Sequence, residues 1–536
     1  MTVSNNKSFN NQADPLSLNN TFECNNNFKR YSTVLKNVDL NDESKLIELY
    51  GKCNLKYVVI ISKSSKYIPW VPEPGQEKDN ELMNEDELFA LKWKRRRLLN
   101  EVLEERSFQF VSTINEEYDL RFKNTNIDLV WLKILLSVTE KEDFPNDLYC
   151  RFDQLHNINR FPQMPYEINA KHSLARNIKS MADRFGEKEF SFHPKTFILP
   201  EEFQSLNQYS KENPNVQFIM KPKFGGKGIG IHLYSNSNEI ENDSNYVVQE
   251  YLANPFLIDG KKFTLRLYVL ITSLDPLIFY IHNNGVLKFA TSDFTIDRKT
   301  FNDDNMSKHV TNQTININLP TYKFSTDLSV DDIGSKWSLK AFWRYLDKNK
   351  IYPSTLLWGN IKDVVAKTIF SVELAVLSKT NELMKSESNG FQLLGLDIDL
   401  LDNFQPIFLE ANVNPQLGSA KPPFDNYNKL LLIRETFDLI GHTVYNSTTM
   451  KEDIKSKLLQ QKSDIFVDQS ENIKQFDQSS LDKLVQFEFE NIHHANYELI
   501  YPTKESIDSL SKYHLNKESN LNQMLHRYVK SDAKDY

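Results

Sequence analysis

The chain has 536 residues, 40% of them hydrophobic, and its 72 acidic and 64 basic residues give a formal net charge of −8 at pH 7. This composition predicts a folded protein of roughly three domains, and the negative charge gives no general attraction for nucleic acid. The three cysteines are too scattered for a zinc site or a disulfide framework, which indicates a reducing compartment, and no apolar run is long enough to span a bilayer.

The first 155 residues predict a polar leader followed by a small folded domain. Residues 1–45 are rich in Asn and predict a disordered leader, and residues 46–155 are assigned to an N-terminal domain. Within that domain KYVVIISK, residues 56–63, predicts a buried strand. The apolar run LVWLKILLSV predicts a buried helix near residues 128–139. Between them KWKRRR, residues 92–97, lies in a charged helical stretch that is either a binding surface or a solvated face.

Glycines cluster in KPKFGGKGIGI. The whole chain has only 15 glycines, and four of them lie in this segment: Gly225, Gly226, Gly228 and Gly230. A strand that ends in Lys221 and continues into a glycine-rich turn lets backbone N–H groups close over phosphates, with Lys223 and Lys227 adding charge. The Walker A pattern is absent, and no helix follows as a dinucleotide fingerprint requires. A plain hairpin turn is the alternative interpretation.

The next segments carry polar residues on predicted strands. VVQEYL places residues 249–252 at a strand end, where backbone groups could pair with an adenine edge. Lys262, Thr264 and Arg266 alternate on one face of FTLRLYVLITS, where a basic residue either snorkels to solvent or binds phosphate or carboxylate. PLIFYIHNNGVLKFAT predicts a hairpin around residues 283–285, and HVTNQTIN is either a further part of the site or an ordinary turn.

A helix predicted over about 361–387 leads into the strand pair LGLDIDLL and PIFLEANV. Alternation places Asp397 and Asp399 on one face of the first strand, and Glu410 and Asn412 on one face of the second. If residues 402–405 form a four-residue turn, Asp397 lies directly opposite Glu410. Facing carboxylates repel each other, and a divalent cation between them would remove that repulsion. Two carboxylates and an amide oxygen are ligands for magnesium, whereas a solvated hairpin face is the alternative.

The order of these features, from glycine loop through hinge and basic strand to Asp and Glu-x-Asn, is that of an ATP-grasp nucleotide site. The chain resembles the tubulin tyrosine ligase-like family from about residue 155 to 445. The resemblance rests on INRFPQMPYEINAKHSLARNIKSM, FILP, KPKFGGKGIGI, VVQEYLANPFLIDGKKFTLRLYVLITS, HVTNQTIN, FQLLGLDIDLL and IFLEANVNPQL, with ENIHHANYELIYPT in the tail. It implies an α/β ATP-grasp fold with an N-terminal domain, a central domain at 156–250, a C-terminal ATP-grasp domain at 251–445 and a helical tail at 446–536.

The resemblance also implies roles for individual residues. Arg266 and Lys288 would be catalytic, Arg266 by stabilising the transferring phosphate or the acyl-phosphate. Asp397, Glu410 and Asn412 would hold Mg²⁺. The expected ATP contacts are Lys171, Lys221, Lys227, Gly228, Gly230, Gln249, Glu250, Tyr251, Leu252, Lys262, Thr264, Thr311 and Asn312.

The activity implied is ATP-dependent ligation of an amino acid, glutamate in the first instance, to glutamate side chains of tubulin tails through an acyl-phosphate. A glycylase of the same fold, a tubulin-binding pseudo-enzyme and a ligase for a small metabolite are the alternatives. The expected setting is a cytoplasmic monomer on microtubules, including those of cilia or basal bodies, without nucleic-acid or membrane partners.

Four positions depart from the family pattern. Thr264 stands where KFDLR has Asp, Lys288 where GVLRxxT has Arg, Ile229 where a basic residue is usual, and Ile317 where NYSxNK ends in Lys. Losing a ribose carboxylate at position 264 should weaken nucleotide binding. Lys288 and Ile317 fall where the carboxylate of the incoming amino acid is expected, so they bear on its identity. The extra carboxylate of glutamate needs a cation, which Lys227, Lys288 or Lys308 could supply.

Overall fold

The computed structural model describes residues 43–54, 56–61, 97–111, 128–132, 157–226, 228–297, 301–312, 316–317, 319–384, 390–418, 422–461 and 478–531. Most of the predicted leader and most of the KWKRRR stretch lie outside the described residues, as does Lys227. Among the described residues, no helix combines the length and the apolar character needed to cross a membrane.

The N-terminal part contains a small parallel sheet. Its elements are α1 (Glu43–Tyr50), β1 (Lys56–Ile61), α2 (Arg97–Glu105), β2 (Phe108–Val111) and β3 (Leu129–Leu132), and the strand order is β2-β1-β3. Of the strand predicted at residues 56–63, the described part, 56–61, is confirmed as a strand. The helix predicted at 128–139 is wrong in its described part, because residues 129–132 form β3. The sequence of β3 is a continuous apolar run, which periodicity alone does not assign to a strand or to a helix.

The central part is a four-stranded antiparallel sheet flanked by two helices. Its strand order is β4-β7-β5-β6. Phe197, Leu206, Phe218 and Val248 lie in its own small hydrophobic core. The elements in chain order are α3 (Lys171–Phe185), β4 (Thr196–Ile198), α4 (Phe203–Glu212), β5 (Phe218–Pro222), β6 (His232–Tyr234) and β7 (Tyr246–Glu250).

The large sheet runs in the order β11-β10-β8-β12-β13, with β9 also paired to β8. It is covered by α7, a 30-residue helix that begins at Ser354, seven residues before the predicted start at 361. The elements in chain order are β8 (Phe263–Leu274), β9 (Leu277–His282), β10 (Val286–Phe289), the short helix α5 (Met306–His309), β11 (Lys336–Ser338), α6 (Leu339–Lys348), α7 (Ser354–Leu383), β12 (Gln392–Leu400), β13 (Pro406–Asn412) and α8 (Pro423–Leu439).

The hairpin predicted around residues 283–285 is wrong. β9 and β10 do not pair with each other, because both lie antiparallel to β8, β9 against its second half and β10 against its first. Residues 283–285 therefore separate β9 from β10, which lie end to end along β8. The tight turn lies earlier, between β8 and β9. Gly285 is required at the break because a Cβ there would lie 2.8 Å from the backbone oxygen of Arg266.

The predicted pairing of Asp397 with Glu410 across β12 and β13 is confirmed, but not for the predicted reason. Next to the turn, Leu400 pairs with Pro406, so five residues rather than four connect the strands. The register then shifts by one residue between Asp397 and Ile398. This bulge leaves Leu409 as the extra residue and restores the Asp397 and Glu410 pair.

The tail is not wholly helical, which corrects the prediction for residues 446–536. Four helices occur in its described part, α9 (Ser447–Gln461), α10 (Gln478–His493), α11 (Lys504–Leu510) and α12 (Asn520–Ser531), but β14 (Tyr497–Tyr501) pairs antiparallel with β9. Tyr497 and Tyr501 are completely buried beside that strand. The tail therefore completes the large sheet. The expected boundaries at residues 155, 250 and 445 remain predictions.

Candidate functional site

A cleft of about 810 Å³, measured to its open mouth, lies between the four-stranded sheet and the large sheet. Its walls come from β5 and β7 on one side and from β8, β12 and β13 on the other, with two loops between them. Thirteen of the residues predicted for the site line it: Lys171, Lys221, Gly228, Gln249, Glu250, Tyr251, Leu252, Lys262, Thr264, Thr311, Asn312, Asp397 and Glu410.

Four other predicted residues that the structure describes do not line the cleft. Arg266 and Lys288 lie behind it, where both contact Asp397. Asn412 donates to the carbonyl oxygen of Gly395 at 3.4 Å. A Cβ at Gly230 would lie 2.9 Å from Pro222 Cγ, so this glycine allows close packing of the loop on β5.

Two cations hold the Asp397 carboxylate. Arg266 donates from Nε and Nη2 to its two oxygens at 2.7 and 2.9 Å, and Lys288 Nζ lies 3.0 Å from each oxygen. Burial opposes the charge of Asp397, but Arg266 and Lys288 outweigh it and lower the pKa of this carboxyl to about 2. Burial and the neighbouring Arg266 lower the pKa of Lys288. Asp397 is therefore ionised at neutral pH, in a fixed orientation.

A second buried network surrounds Asp399, which was not among the predicted site residues. Thr264 Oγ1 donates to Asp399 Oδ1 at 2.6 Å, and Thr311 Oγ1 donates to Thr264 at 2.9 Å. Lys262 Nζ lies 3.0 Å from Asp399 Oδ2 and 4.8 Å from the centre of the Tyr251 ring. Burial would lower the pKa of Lys262, but the Asp399 carboxylate raises it above its ordinary value. Asp399 thus supplies a carboxylate beside Thr264, where the family pattern has Asp.

The opposite wall presents amines and a glycine loop. Lys171 Nζ donates to Gly225 O at 3.0 Å and lies 3.7 Å from Glu410 Oε2. Lys221 Nζ donates to Gln249 Oε1 at 2.7 Å, and burial lowers the pKa of Lys221 to about 8. Gly225 and Gly228 have φ of +104° and +78°, which glycine adopts without strain. Such a loop can turn backbone N–H groups toward an anion.

The donor set of the facing pair fits a magnesium ion. Asp397 and Glu410 offer hard carboxylate oxygens from paired positions, and the Asn412 amide lies two residues further along β13. Among the described residues, no group of three or more His, Cys, Asp or Glu side chains is arranged to hold a metal ion by itself. Two carboxylates, an amide and phosphate oxygens would therefore have to share the coordination.

Apolar residues of the cleft were not predicted. Ile219, Ile231 and Leu409 line it together with Pro194. Leu409 reaches the cleft beside Glu410 because the bulge places two successive residues on the same side. Alternation of apolar and polar residues, the signal available in the sequence, assigns Leu409 to the core face. By contrast, Asp399 could have been predicted, since it shares a face with Asp397.

A glycine loop on a small antiparallel sheet, facing acidic residues on a second sheet across a cleft, defines an α/β protein of the ATP-grasp type. A comparison with protein families agrees, because the model of the tubulin-tyrosine ligase family matches residues 151–450. The chain belongs to that family.

Curated relatives carry names from the same family. The chain is 32% identical over 369 residues to tubulin polyglutamylase TTLL5 of Mus musculus, covering 68% of this chain and 26% of the relative. It is 36% identical over 290 residues to tubulin monoglutamylase TTLL4 of Homo sapiens, covering 54% and 24%. It is 32% identical over 405 residues to a probable beta-tubulin polyglutamylase of Tetrahymena thermophila, covering 73% and 32%. The matched region spans about a quarter to a third of these relatives.

Proposed function

We propose that this chain is an ATP-dependent ligase that joins glutamate to glutamate side chains of tubulin tails. The observation that carries the proposal is the cleft itself, in which Lys171 and Lys221 face the acidic pair Asp397 and Glu410. The names of the relatives support tubulin as the acceptor and glutamate as the added amino acid. The proposed setting is the microtubule cytoskeleton of the cytoplasm, with the chain acting as a monomer.

In this proposal ATP lies between the two sheets. The backbone of residues 249–252 binds the adenine edge, and Lys262, Thr311 and Asn312 lie along the ribose and phosphates. Lys171, Lys221 and the glycine loop hold the phosphates. Asp397, Glu410 and Asn412 hold magnesium, which when bound neutralises charge on the terminal phosphates.

The proposed chemistry has two steps. An acceptor carboxylate oxygen attacks the γ-phosphorus of ATP, the bond to the β-phosphate oxygen breaks, and ADP leaves. The amine of the incoming amino acid then attacks the carbonyl carbon of the acyl-phosphate, the carbon–oxygen bond to phosphate breaks, and the amine loses a proton. In this proposal Arg266 and Lys288, which contact Asp397 behind the cleft, stabilise the negative charge that develops in both steps.

Glutamate is preferred over tyrosine or glycine on grounds of charge. Its extra carboxylate requires a cation, and we assign that role to Lys288, which lies behind the cleft beside Arg266. A tyrosine ring would require an apolar pocket beside the same lysine. Glycine requires only that larger side chains be excluded, so a glycylase remains the alternative within the same chemistry.

Mass spectra of tubulin tails test the proposal. The purified chain is incubated with microtubules, ATP and magnesium in separate reactions with glutamate, glycine or tyrosine, and the tails are weighed intact. Additions of the glutamate residue mass alone are expected. Additions of glycine would make the chain a glycylase. Binding to microtubules without any addition would support a pseudo-enzyme, for which the four departures from the family pattern are the argument.

A further inference from the structure

His193 links the two walls of the cleft. The segment before β4 meets β13 at one residue: Phe408 N–H donates to Phe192 O at 2.7 Å, and His193 Nδ1 lies 2.8 Å from Phe408 O. Because a carbonyl oxygen only accepts, Nδ1 carries the hydrogen of this bond. Burial lowers the pKa of His193 to about 4, so the ring is neutral at pH 7 and Nε2 is an acceptor.

The acceptor at Nε2 determines how the Gln249 amide is oriented. Gln249 Nε2 lies 3.3 Å from His193 Nε2 and 2.9 Å from Thr196 Oγ1. Thr196 donates its own hydroxyl hydrogen to Pro194 O at 2.8 Å, so toward Gln249 it accepts. Both neighbours therefore require the NH₂ group on their side. The amide oxygen is left to accept from Lys221 Nζ at 2.7 Å.

The reversed amide would be doubly unfavourable. Its oxygen would face two acceptors, the Nε2 of His193 and the hydroxyl oxygen of Thr196. Its NH₂ group would face the ammonium of Lys221, which only donates. Leaving such buried groups unpaired is unfavourable enough to make the observed orientation dominant.

We propose that His193 is a positioning residue for Lys221, acting through the Gln249 amide; this inference rests on the proposed nucleotide site. The same ring is bonded to Phe408, which directly precedes the cleft residues Leu409 and Glu410. His193 thus connects two parts of the site. Through Gln249 it orients the Lys221 amine on the small sheet, and through Phe408 it contacts β13, the strand of the large sheet that carries Glu410.

Two substitutions of His193 test the contributions of the two ring nitrogens separately. His193→Asn keeps an N–H donor near the position of Nδ1 but removes the acceptor at Nε2. His193→Gln places an amide near the position of Nε2 and removes the donor toward Phe408. The two variants are matched in chemistry, so a general loss of packing should affect the thermal unfolding of both.

The measurement is the affinity of a fluorescent ATP analogue in the presence of magnesium. His193→Asn should weaken binding about five- to tenfold, the equivalent of one lost hydrogen bond, whereas His193→Gln should stay within about twofold of wild type. Equal losses in both variants, or no loss in either, would overturn the inference.

A double-mutant cycle identifies Lys221 as the group that His193 acts upon. In a Lys221→Met background, His193→Asn should change the affinity by less than about twofold, because the side chain to be positioned is gone. The same five- to tenfold loss in that background would show a role independent of Lys221, contrary to the inference.

A readout without nucleotide keeps this inference separate from the proposed function. Acetylation of Lys221 by an N-hydroxysuccinimide ester, followed by mass spectrometry of the peptide, should be faster in His193→Asn than in wild type or His193→Gln. The reason is that the amine is then no longer held by Gln249. Equal rates in all three proteins would contradict the inference. If the wild type failed to bind the ATP analogue, the proposed function would fall, while the labelling rates would still decide the role of His193.

Discussion

Asp397 and Glu410 face each other across β12 and β13, yet their neighbours differ. Asp397 is almost fully buried and holds two cations, Arg266 and Lys288, at hydrogen-bond distance. Glu410 is partly exposed, and its ion pair with Lys171 is a loose 3.7 Å. The same change of charge should therefore have different consequences at the two positions.

Glu410→Gln is expected to abolish ligation while leaving the fold intact. It removes one charge from the proposed metal pair without changing the shape of the side chain, and losing such a ligand should cost several kcal/mol of transition-state stabilisation. Turnover is measured with microtubules, and thermal unfolding of the same preparation is the control. Turnover above about a tenth of the wild-type value would rule out the metal role.

Asp397→Asn is expected to destabilise the protein as well as inactivate it. The substitution leaves Arg266 and Lys288 buried without a counter-charge, a change that typically costs about 3–5 kcal/mol. The free energy of unfolding in urea, measured beside Glu410→Gln, provides the comparison. Equal stability of the two variants would mean that the cations relax into solvent.

At the scale of single residues, site residues could be predicted from the sequence where the alternation of polar and apolar side chains lies within one strand. Alternation indicated the polar faces of β12 and β13 because a strand presents successive side chains to opposite sides. His193 could not be predicted, since its partners Phe408 and Gln249 lie on two strands that are distant in the sequence. Leu409 could not be predicted either, because a bulge breaks the alternation.

At the scale of elements, the tail is attached to α7 through a buried acid. Glu373 Oε1 accepts from the backbone N–H groups of Leu515 and Asn516 at 2.6 and 3.1 Å. Its Oε2 lies 3.2 Å from His514 Nε2. Neither atom has another hydrogen-bond partner, so the two are satisfied only if one proton lies between them. Burial raises the pKa of Glu373 to about 8 and lowers that of His514 to about 3. The proton therefore belongs to Glu373 at neutral pH.

This arrangement predicts a pH dependence of stability. A carboxyl group whose pKa is raised in the folded state contributes stability below its unfolded pKa, and that stability is lost as the pH rises through the folded value. Between about pH 6.5 and pH 8 the wild type should lose about 1 kcal/mol per pH unit from this group.

Glu373→Gln should remove that loss, because its amide donates to His514 without a titrating proton. Urea unfolding of both proteins across the same pH range measures the difference. The two curves should diverge as the pH rises, with the variant the more stable at pH 8. Parallel curves would show that Glu373 is ionised in the folded protein.

Helices and strands could be predicted where a periodic sequence pattern extends over many residues. They could not be predicted where pairing with a distant strand determines the structure. The strands of the cleft and the long helix α7 follow from their patterns. β3 was mistaken for a helix because four consecutive apolar residues satisfy either periodicity. The Asn283–Gly285 segment was mistaken for a hairpin turn. Its composition indicates that a strand is interrupted there, but it does not indicate which strands β9 and β10 pair with.

At the scale of the whole molecule, a chain of net charge −8 is proposed to act on acidic tails. Binding must then depend on local basic surface, and KWKRRR is the densest such stretch, although most of it lies outside the described residues. Neutralising Lys92, Lys94, Arg95, Arg96 and Arg97 should weaken co-sedimentation with microtubules and flatten its salt dependence, since exposed charges are screened over about 10 Å at 0.1 M salt. Unchanged binding across a salt series would place the acceptor surface elsewhere.

The central claim is that ATP held in the cleft activates an acceptor carboxylate for amide formation. It is tested most directly with a tubulin-tail peptide whose glutamate side chains carry heavy oxygen, incubated with the chain, ATP, magnesium and glutamate. The two-step chemistry predicts that inorganic phosphate gains one heavy oxygen atom for each amide bond formed, and that Glu410→Gln forms neither product. Ligation that leaves the phosphate free of heavy oxygen would contradict the acyl-phosphate step, and the absence of both products with the wild-type chain would contradict the ligase activity itself.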